Sequence, residues 1–330
     1  MTTTIRGAED RHRTVRKGTA GNTDQDTPRG RSAPTNPLER SKRRLFGWFV
    51  VPAALLYAGF LVVPGLITVG LAFTRWSGSG PVKPVGFQNF RMLFHDPTFR
   101  SSFTHTLIIL FGVGAATFVL AFMMMLALRD MRGRKFIRMV VFFPNIAPGV
   151  LLAIVWGFLF QHDGMINQIL GWSGFHHPPQ WLAEDNLFAV VLVGLIWINT
   201  GFYTTILMAA VDRIPPYLFE ECEISGANAW QRFRYVILPL TWDAVGVAAI
   251  LWAISSVKIF EFLYAFAGGG GYLPPLKIWN TAVYSYSEAF ASVGTPRYGT
   301  AAASSVVTML LAACAVVLLS RVFRRESVEL

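Results

Sequence analysis

The chain of 330 residues is 53% hydrophobic and only 15% charged, whereas an ordinary soluble domain carries about 25% charged residues. The charges gather at the ends and in short loops between long apolar tracts, so the composition excludes an ordinary soluble protein and indicates a membrane protein. The net charge of +10 does not indicate a nucleic-acid partner, because the Lys and Arg residues flank apolar tracts, where they orient a chain in the bilayer.

Residues 1–40 are rich in Thr, Gly, Arg, Asp and Pro and have almost no large apolar side chains. Such a segment cannot offset its ordering entropy by burial, so we predict a disordered tail. A six-helix membrane domain follows over 41–325, and 326–330 is a short C-terminal tail.

Six tracts are predicted to span the membrane as helices, which makes the chain an all-α integral membrane protein. Five of them lack any charged residue and reach the ~20 residues that a crossing helix needs. The sixth, 236–266, is apolar except for Asp243, Lys258 and Glu261. The five uncharged tracts are 45–73, 106–128, 139–160, 186–211 and 298–320.

Proline and glycine residues within these tracts predict local geometry. At each single proline we expect an ordinary kink rather than a hinge or a broken helix. Gly112, Gly114 and Gly194 predict close helix packing. The prolines are Pro52, Pro64, Pro144 and Pro148.

The loops between the spans differ in positive charge. One set of flanks, which includes both termini, holds 15 Lys and Arg residues, and the opposite set holds 6. The positive-inside rule therefore predicts that both termini and the loop between the fourth and fifth spans are cytoplasmic.

That loop is a polar island, 212–235, between two apolar tracts. Proline is preferred in the first turn of a helix, so a helix is predicted to begin near Pro215 or Pro216. Glu220 and Glu223 share a face of it, and Gly226 can adopt a positive φ and end it. A second helix over 228–236 would complete an elbow, and from the residues alone that elbow either docks a soluble partner or rests on lipid headgroups.

The elbow resembles the EAA loop of permease subunits of binding-protein-dependent ABC importers. That loop reads roughly Glu-Ala-Ala, three residues, Gly-Ala, then a Phe and an Ile-x-Leu-Pro. The chain departs from it at Glu221, Cys222 and Ser225. The matching residues are Glu220, Gly226, Ala227, Phe233, Val236, Leu238 and Pro239.

The resemblance extends over about residues 45–325 and is to the sugar-type branch, the maltose and glycerol-3-phosphate class. Several short motifs carry it in the right order. They are 85–90 with Asp96 and Phe99, 142–144 with Trp156 and 164–167, 258–261 with Tyr264, and Tyr298 with Gly299.

The resemblance implies that the chain forms half of a translocation path for a sugar, or a related polyol or sugar phosphate, in a bacterial inner membrane. Its implied partners are a second, different permease subunit, two cytoplasmic ABC ATPases and an extracytoplasmic solute-binding protein. The segment 217–226 would be the coupling helix. The residues implied to couple to the ATPase are Tyr217, Leu218, Glu220, Glu223, Gly226, Ala227, Phe233 and Pro239.

No cofactor is expected on this chain, because it lacks a G-x-x-x-x-G-K-[S/T] phosphate loop. ATP and Mg²⁺ would bind the partner ATPases. The two isolated cysteines offer no metal-site spacing, and no catalytic residues are predicted.

Polar and aromatic residues within the spans are candidates for the substrate path, since intramembrane polar groups usually face a cavity or a neighbouring helix. Interhelical hydrogen bonds or an aromatic belt are the alternative for most of them. Lys258 and Glu261 also have the spacing to pair with each other. The candidates are Asn145, Trp156, Asn199, Tyr203, Trp252, Ser255, Lys258 and Glu261.

Three alternatives stay open. An ion-gradient-driven secondary transporter would need a buried carboxylate near the midplane, and Glu261 is the nearest candidate. A permease of the same superfamily for amino acids or phosphate would lack the sugar-type motifs. A membrane enzyme is disfavoured because none of the six histidines lies within a span or forms an H-E-x-x-H cluster.

Overall fold

The computed structural model describes residues 37–129, 131–175, 178–266, 273–291 and 295–324. It divides into two compact units, Met1–Ala58 and Gly59–Leu330. The predicted tail 326–330 and residues 1–36 of the predicted N-terminal tail lie outside the described residues.

The first unit contributes helix α1, Pro37–Tyr57. The prediction of disorder up to residue 40 is therefore wrong for its last residues, because Pro37 suits the first turn of a helix and good helix formers follow it. Large apolar side chains such as Trp48 and Phe49 are exposed along α1, as expected of a helix that faces lipid.

The second unit begins with a helix, a short hairpin and the long second span. A π-helical turn, Ala58–Val62, precedes α2. Strands β1 and β2 pair antiparallel, with Thr74 opposite Pro84 and Arg75 opposite Lys83. The elements in order are α2 (Val63–Leu71), β1 (Thr74–Arg75), β2 (Lys83–Pro84), α3 (Gln88–His95), α4 (Pro97–Leu107), a π-helical turn (Ile108–Val113) and α5 (Gly114–Arg129).

The remaining elements complete the bundle. They are α6 (Arg134–Ile146), α7 (Gly149–Leu159), α8 (Met165–Trp172), α9 (Glu184–Val211), α10 (Pro216–Ile224), α11 (Ala229–Arg232), a π-helical turn (Phe233–Ile237), α12 (Leu238–Leu240), α13 (Trp242–Ser256), α14 (Glu261–Ala265), a 3₁₀ turn (Leu276–Ile278), α15 (Thr281–Tyr286), a π-helical turn (Ser287–Ala291) and α16 (Tyr298–Phe323).

By length and composition, four helical stretches among the described residues suffice to cross a membrane, or six if each of two bent pairs is one span. The bent pairs are α6 with α7, at 101°, and Ala229–Leu240 with α13, at 74°. The other four stretches are Gly47–Leu71, Pro97–Arg129, Glu184–Val211 and Tyr298–Phe323.

The bend between α6 and α7 contradicts the expectation of an ordinary kink at Pro148. Ala147 has φ −72° and ψ 145°, outside the helical region. A proline disfavours helical geometry in the residue before it, so α6 ends and α7 starts again in a new direction. Pro144, by contrast, lies inside α6.

The packed centre of the second unit is formed mainly by α5, α6, α9 and α13. Tyr203 is 1% exposed, and its ring contacts those of Phe118 and Trp252 at centroid distances of 5.1 and 5.8 Å. Gly201 lies so close to α6 that an added Cβ would collide with the backbone carbonyl oxygen of Val141. The helices α6 and α9 therefore cross so closely at Gly201 that there is no space for a larger side chain.

Two of the three glycines predicted to allow close packing do so. A Cβ on Gly114 would meet the Trp252 ring, and one on Gly194 would meet Phe262 and Trp156. Gly112 has only an ordinary contact, with a side chain of its own helix, so the prediction for Gly112 is wrong.

Candidate functional site

The elbow between α9 and α13 starts with α10, which begins at Pro216 as the sequence predicts. Gly226 has φ +68°. The N–H of Gly226 donates to the Glu223 carbonyl at 3.1 Å, and that of Ala227 donates to the Cys222 carbonyl at 2.9 Å. This is the Schellman pattern, in which glycine supplies the left-handed conformation that ends a helix, so the predicted role of Gly226 in ending α10 is confirmed.

One face of α10 is free. Tyr217 is 53% and Ile224 is 87% exposed, and Glu220 and Glu223 are exposed as well. Leu218 and Ala227 are half-buried. The helix therefore presents acidic and apolar side chains together, which is the chemistry of a surface that meets another macromolecule.

The second limb of the elbow is α11 with the π-helical turn after it. The Gln231 N–H donates to Asn228 Oδ1 at 2.9 Å, and the Asn228 N–H donates to Gln231 Oε1 at 2.8 Å. This capping box was missed in the sequence, although Asn-x-x-Gln ahead of an apolar run is its signature. It fixes where the second limb starts.

The two limbs are tied to each other and to the bundle. Arg232 Nη1 lies 3.9 Å from Glu223 Oε1, so Arg232 contacts the first limb. Phe233 is buried, whereas Pro239 is exposed. Of the residues assigned to coupling, Phe233 is thus packed inside the elbow rather than on its exposed face.

The elbow is fixed to the end of α5. Phe219 is the buried residue of α10, with 8% exposure, and the Arg129 guanidinium carbon lies 3.4 Å from the centroid of its ring. The rings of Phe122 and Phe233 meet edge to face at 5.5 Å. Both limbs therefore contact the second span.

A large cavity of about 740 Å³ lies between α2, α13, α15 and α16. Among the described residues, Lys258 is the only charged side chain in its wall. The ring of Tyr286 contacts those of Phe260 and Phe290 at 5.2 and 5.4 Å. The polar and aromatic part of the wall is Thr68, Lys258, Phe260, Ser285, Tyr286, Phe290, Tyr298, Ser305 and Thr308.

Most of the residues predicted for the substrate path lie elsewhere. Trp252 donates from Nε1 to the Leu110 carbonyl at 2.7 Å, and Trp156 donates from Nε1 to the Val190 carbonyl at 3.1 Å. Asn199 bonds back to Leu195 at 2.7 Å within its own helix, and Tyr203 is in the packed centre. Trp252 and Trp156 thus make the interhelical hydrogen bonds that are the alternative to a role in the path, whereas Asn199 bonds within its own helix.

The other four predicted path residues lie at exposed or half-exposed positions. Asn145 is half-buried and Ser255 is exposed. Glu261 packs on the start of α7, where a Cβ on Gly149 would lie 3.3 Å from Glu261 Oε2. Among the described residues no ion pair joins Lys258 to Glu261, so the predicted pairing is wrong: Lys258 lines the cavity and Glu261 starts α14.

Trp252 gives a test of path against packing. We expect Trp252→Phe to lower thermal stability by about 1–3 kcal/mol, because the buried Leu110 carbonyl loses its donor, and to leave the KM of uptake unchanged. Melting curves and uptake kinetics of the purified transporter measure both quantities. A raised KM with unchanged stability would instead assign Trp252 to the substrate path.

A polar network joins the ends of α4, α15 and α16. The Tyr284 hydroxyl donates to Asp96 Oδ2 at 2.6 Å, and Asp96 Oδ1 accepts from the Thr98 N–H at 2.9 Å. Arg297 Nη2 lies 2.7 Å from Glu288 Oε1, and the Glu288 side chain is 8% exposed. Burial raises the pKa of Glu288 and the nearby Asp96 adds to this, while Arg297 opposes it.

This network predicts a pH dependence of stability. The folded chain holds the Glu288 proton more tightly than the unfolded chain, so the stabilisation from this group is lost as pH rises from the ordinary value of 4.5 through the raised pKa. We expect Glu288→Gln to flatten this part of the curve of melting temperature against pH. Glu184→Gln, at an exposed position, is the control, and an unchanged slope in Glu288→Gln would contradict the assignment.

The apolar helices, the packed centre and the polar elbow together define a multi-span helical membrane protein. The model of the family described as "binding-protein-dependent transport system inner membrane component" matches residues 108–328. The chain belongs to this family. It is therefore a transporter component of the inner membrane rather than an enzyme.

Relatives in several organisms are similar over most of their length. The osmoprotective compounds uptake permease protein GgtC of Synechocystis is 30% identical over 67% of this chain and 81% of its own. The trehalose/maltose transport system permease protein MalF of Thermococcus litoralis is 27% identical over 88% and 98%. The sulfoquinovosyl glycerol transport system permease protein SmoG of Agrobacterium fabrum is 28% identical over 88% and 94%.

The fold also matches a solved transporter. A chain of the bacterial ABC transporter that imports the acidic polysaccharide alginate superposes with a TM-score of 0.70 at 22% identity, over 88% of this chain and all of that one. A second structure of a bacterial alginate transporter, in complex with an alginate pentasaccharide-bound periplasmic protein, gives 0.70 at 21% identity, over 87% of this chain and 96% of that chain.

Proposed function

We propose that the chain is the permease subunit of an ATP-driven importer, and that it forms half of the translocation path for a sugar or a related polyol or sugar phosphate. The observation that carries the proposal is the exposed face of α10. Tyr217, Glu220 and Ile224 project from a short helix whose other side is packed on the bundle, and such a helix can receive a soluble ATPase.

The proposed topology has six spans, both termini in the cytoplasm and the elbow between the fourth and fifth spans on the cytoplasmic side. Two observations support it. The span count reaches six when each bent pair is one span, and Lys and Arg are concentrated on the flanks that include the elbow. The proposed permease domain covers 41–325, with its first helix beginning at Pro37, and the two tails lie outside it.

A carbohydrate substrate is supported by the named substrates of relatives, which include trehalose and maltose for MalF and sulfoquinovosyl glycerol for SmoG. Sugars are bound by aromatic ring faces together with hydroxyl and charged groups that fix orientation. The wall of the cavity offers this combination in Tyr286, Ser305 and Lys258. Of the predicted path residues, Lys258 is the one that lines this cavity.

The proposed partners are a second and different permease subunit, two cytoplasmic ABC ATPases and an external solute-binding protein. The description of the family names a binding protein, and one of the similar structures contains a periplasmic protein loaded with substrate. ATP and Mg²⁺ would bind the ATPases, so no nucleotide site is assigned to this chain.

Uptake by the assembled transporter tests the proposal. We expect uptake of one member of a panel of mono- and oligosaccharides, polyols and sugar phosphates to require both the binding protein and ATP. A protonophore should leave that uptake intact while ATP depletion stops it. The opposite response would favour an ion-gradient transporter, and uptake of an amino acid or phosphate alone would move the chain to another solute class.

A further inference from the structure

Two side-chain contacts hold the elbow to the second span, although the chain connects the elbow to the fourth and fifth spans instead. Phe219 contacts Arg129, Phe233 contacts Phe122 at 5.5 Å, and Trp230 supports Phe233 at 5.6 Å. Phe122 and Arg129 are seven residues apart and hence two turns, or about 10 Å, apart on one face of α5. The two limbs of the elbow therefore contact α5 at two positions, about two turns apart along the helix.

The contacts are tight enough for the elbow and α5 to move together. A guanidinium over a phenyl face attracts it within about 6 Å of the ring centroid, and the 3.4 Å separation at Phe219 leaves no room between them. Arg129 ends α5, where a cation also complements the helix dipole. Phe219 and Phe233 are both buried, and close-packed contacts resist sliding, so we expect a shift of α10 to move the end of α5.

The second span carries such a movement to the other side of the bundle. Pro97–Arg129 is a continuous helical stretch of 33 residues, which corresponds to about 50 Å at 1.5 Å per residue. At its far end Asp96 caps α4 and accepts a hydrogen bond from Tyr284. One rigid element thus joins the elbow to the polar network at the opposite end.

We propose that Phe219 and Arg129 are positioning residues that transmit movement of α10 to the second span, and through it to the outer end of α4. This inference rests on the proposed function, since it requires that an ATPase moves α10. In this proposal Glu220 contacts the ATPase, and Phe219, on the buried side of α10, connects α10 to Arg129.

The experiment follows the outer end of α4 with a cysteine. Cys222→Ser and Cys314→Ser remove both native thiols, and Ser101→Cys places a thiol at an exposed position of α4. The transporter is assembled with its ATPases in proteoliposomes, and the rate of labelling by a membrane-impermeant maleimide is compared with and without ATP plus vanadate. We expect nucleotide to change the rate in this reference protein.

Phe219→Leu and Arg129→Met are expected to lose that change while the ATPase still co-purifies and hydrolyses ATP. Phe219→Tyr keeps the aromatic face and should restore the change. Tyr235→Leu is the matched control, because it removes an exposed ring from the same elbow and should have no effect. Arg129→Met leaves the Phe219 side chain intact and is decisive if Phe219→Leu impairs folding.

Three results would overturn the proposal. The first is a full nucleotide-dependent change in Phe219→Leu or Arg129→Met, and the second is no change in the reference protein. The third is loss of the ATPase from Phe219→Leu, which would assign Phe219 to the docking face. Failure of the proposed function is distinguishable, because it would appear as an ATPase that co-purifies with Glu220→Lys.

Discussion

Glu220→Lys is expected to remove the ATPase from the purified complex and to abolish uptake, while the permease still inserts into the membrane. Glu220 is exposed on α10, so reversal of its charge leaves the packing of the elbow intact and changes only what a docked protein meets. A rim charge would affect association rate, whereas a charge paired in the interface costs about 2–5 kcal/mol or more when its partner is left unpaired. Co-purification measures the loss of the ATPase, and an uptake assay measures the loss of transport.

Gly226→Pro should give the same loss by another route. Proline holds φ near −65°, whereas Gly226 has φ +68° and donates its N–H to Glu223, so the substitution removes both the turn and the hydrogen bond. Asp163→Lys inverts a charge at an exposed residue of another loop and serves as the control that should retain ATPase and uptake. If both elbow variants bind ATPase and transport normally, the elbow is not the coupling element.

Gly201→Ala is expected to destabilise the transporter by about 3 kcal/mol or more, at the upper end of the cost of overpacking a core. The new methyl group would collide with the Val141 carbonyl oxygen and approach the Phe142 nitrogen at 2.9 Å, and backbone atoms cannot rotate away as a side chain can. The helices α6 and α9 would have to separate, which also disturbs the rings around Tyr203. A lower melting temperature and a lower yield of folded protein would measure this.

Gly70→Ala provides the matched comparison. Gly70 also lies in a helix, but nothing is within 4 Å of an added Cβ. Its replacement should leave stability equal or slightly higher, because alanine favours a helix by about 1 kcal/mol over glycine. Equal melting temperatures for the two alanine variants would mean that α6 and α9 do not cross as closely as described.

Local chemistry explains which parts of the structure could be read from the sequence. Uncharged tracts predict spans because the bilayer excludes charge, and the elbow follows from Pro216 and Gly226, whose backbone preferences act at their own positions. The break at Pro148 was expected only as a kink, because whether a proline bends or interrupts a helix depends on what neighbours the freed backbone groups find.

The contacts of the candidate site were harder to predict. Hydropathy does not tell which side of an apolar helix faces a cavity, so the sequence alone does not show that the Trp252 and Asn199 side chains bond to carbonyls of the bundle. The contact between Arg129 and Phe219 joins segments 90 residues apart, and no local sequence pattern predicts it. The two helices of the elbow could therefore be predicted from the sequence, but their contact with α5 could not.

The bend between α6 and α7 has a consequence for the lipid around the protein. The two arms have 13 and 11 residues, or about 20 and 16 Å, so neither crosses a hydrocarbon layer of about 30 Å alone. At the bend the last carbonyls of α6 and the first N–H groups of α7 lack helical partners, and Pro148 is exposed in the single chain. Acyl chains offer no hydrogen bonds, so these backbone groups need water or another subunit as their hydrogen-bond partner. Boundary lipid is therefore excluded from the bend.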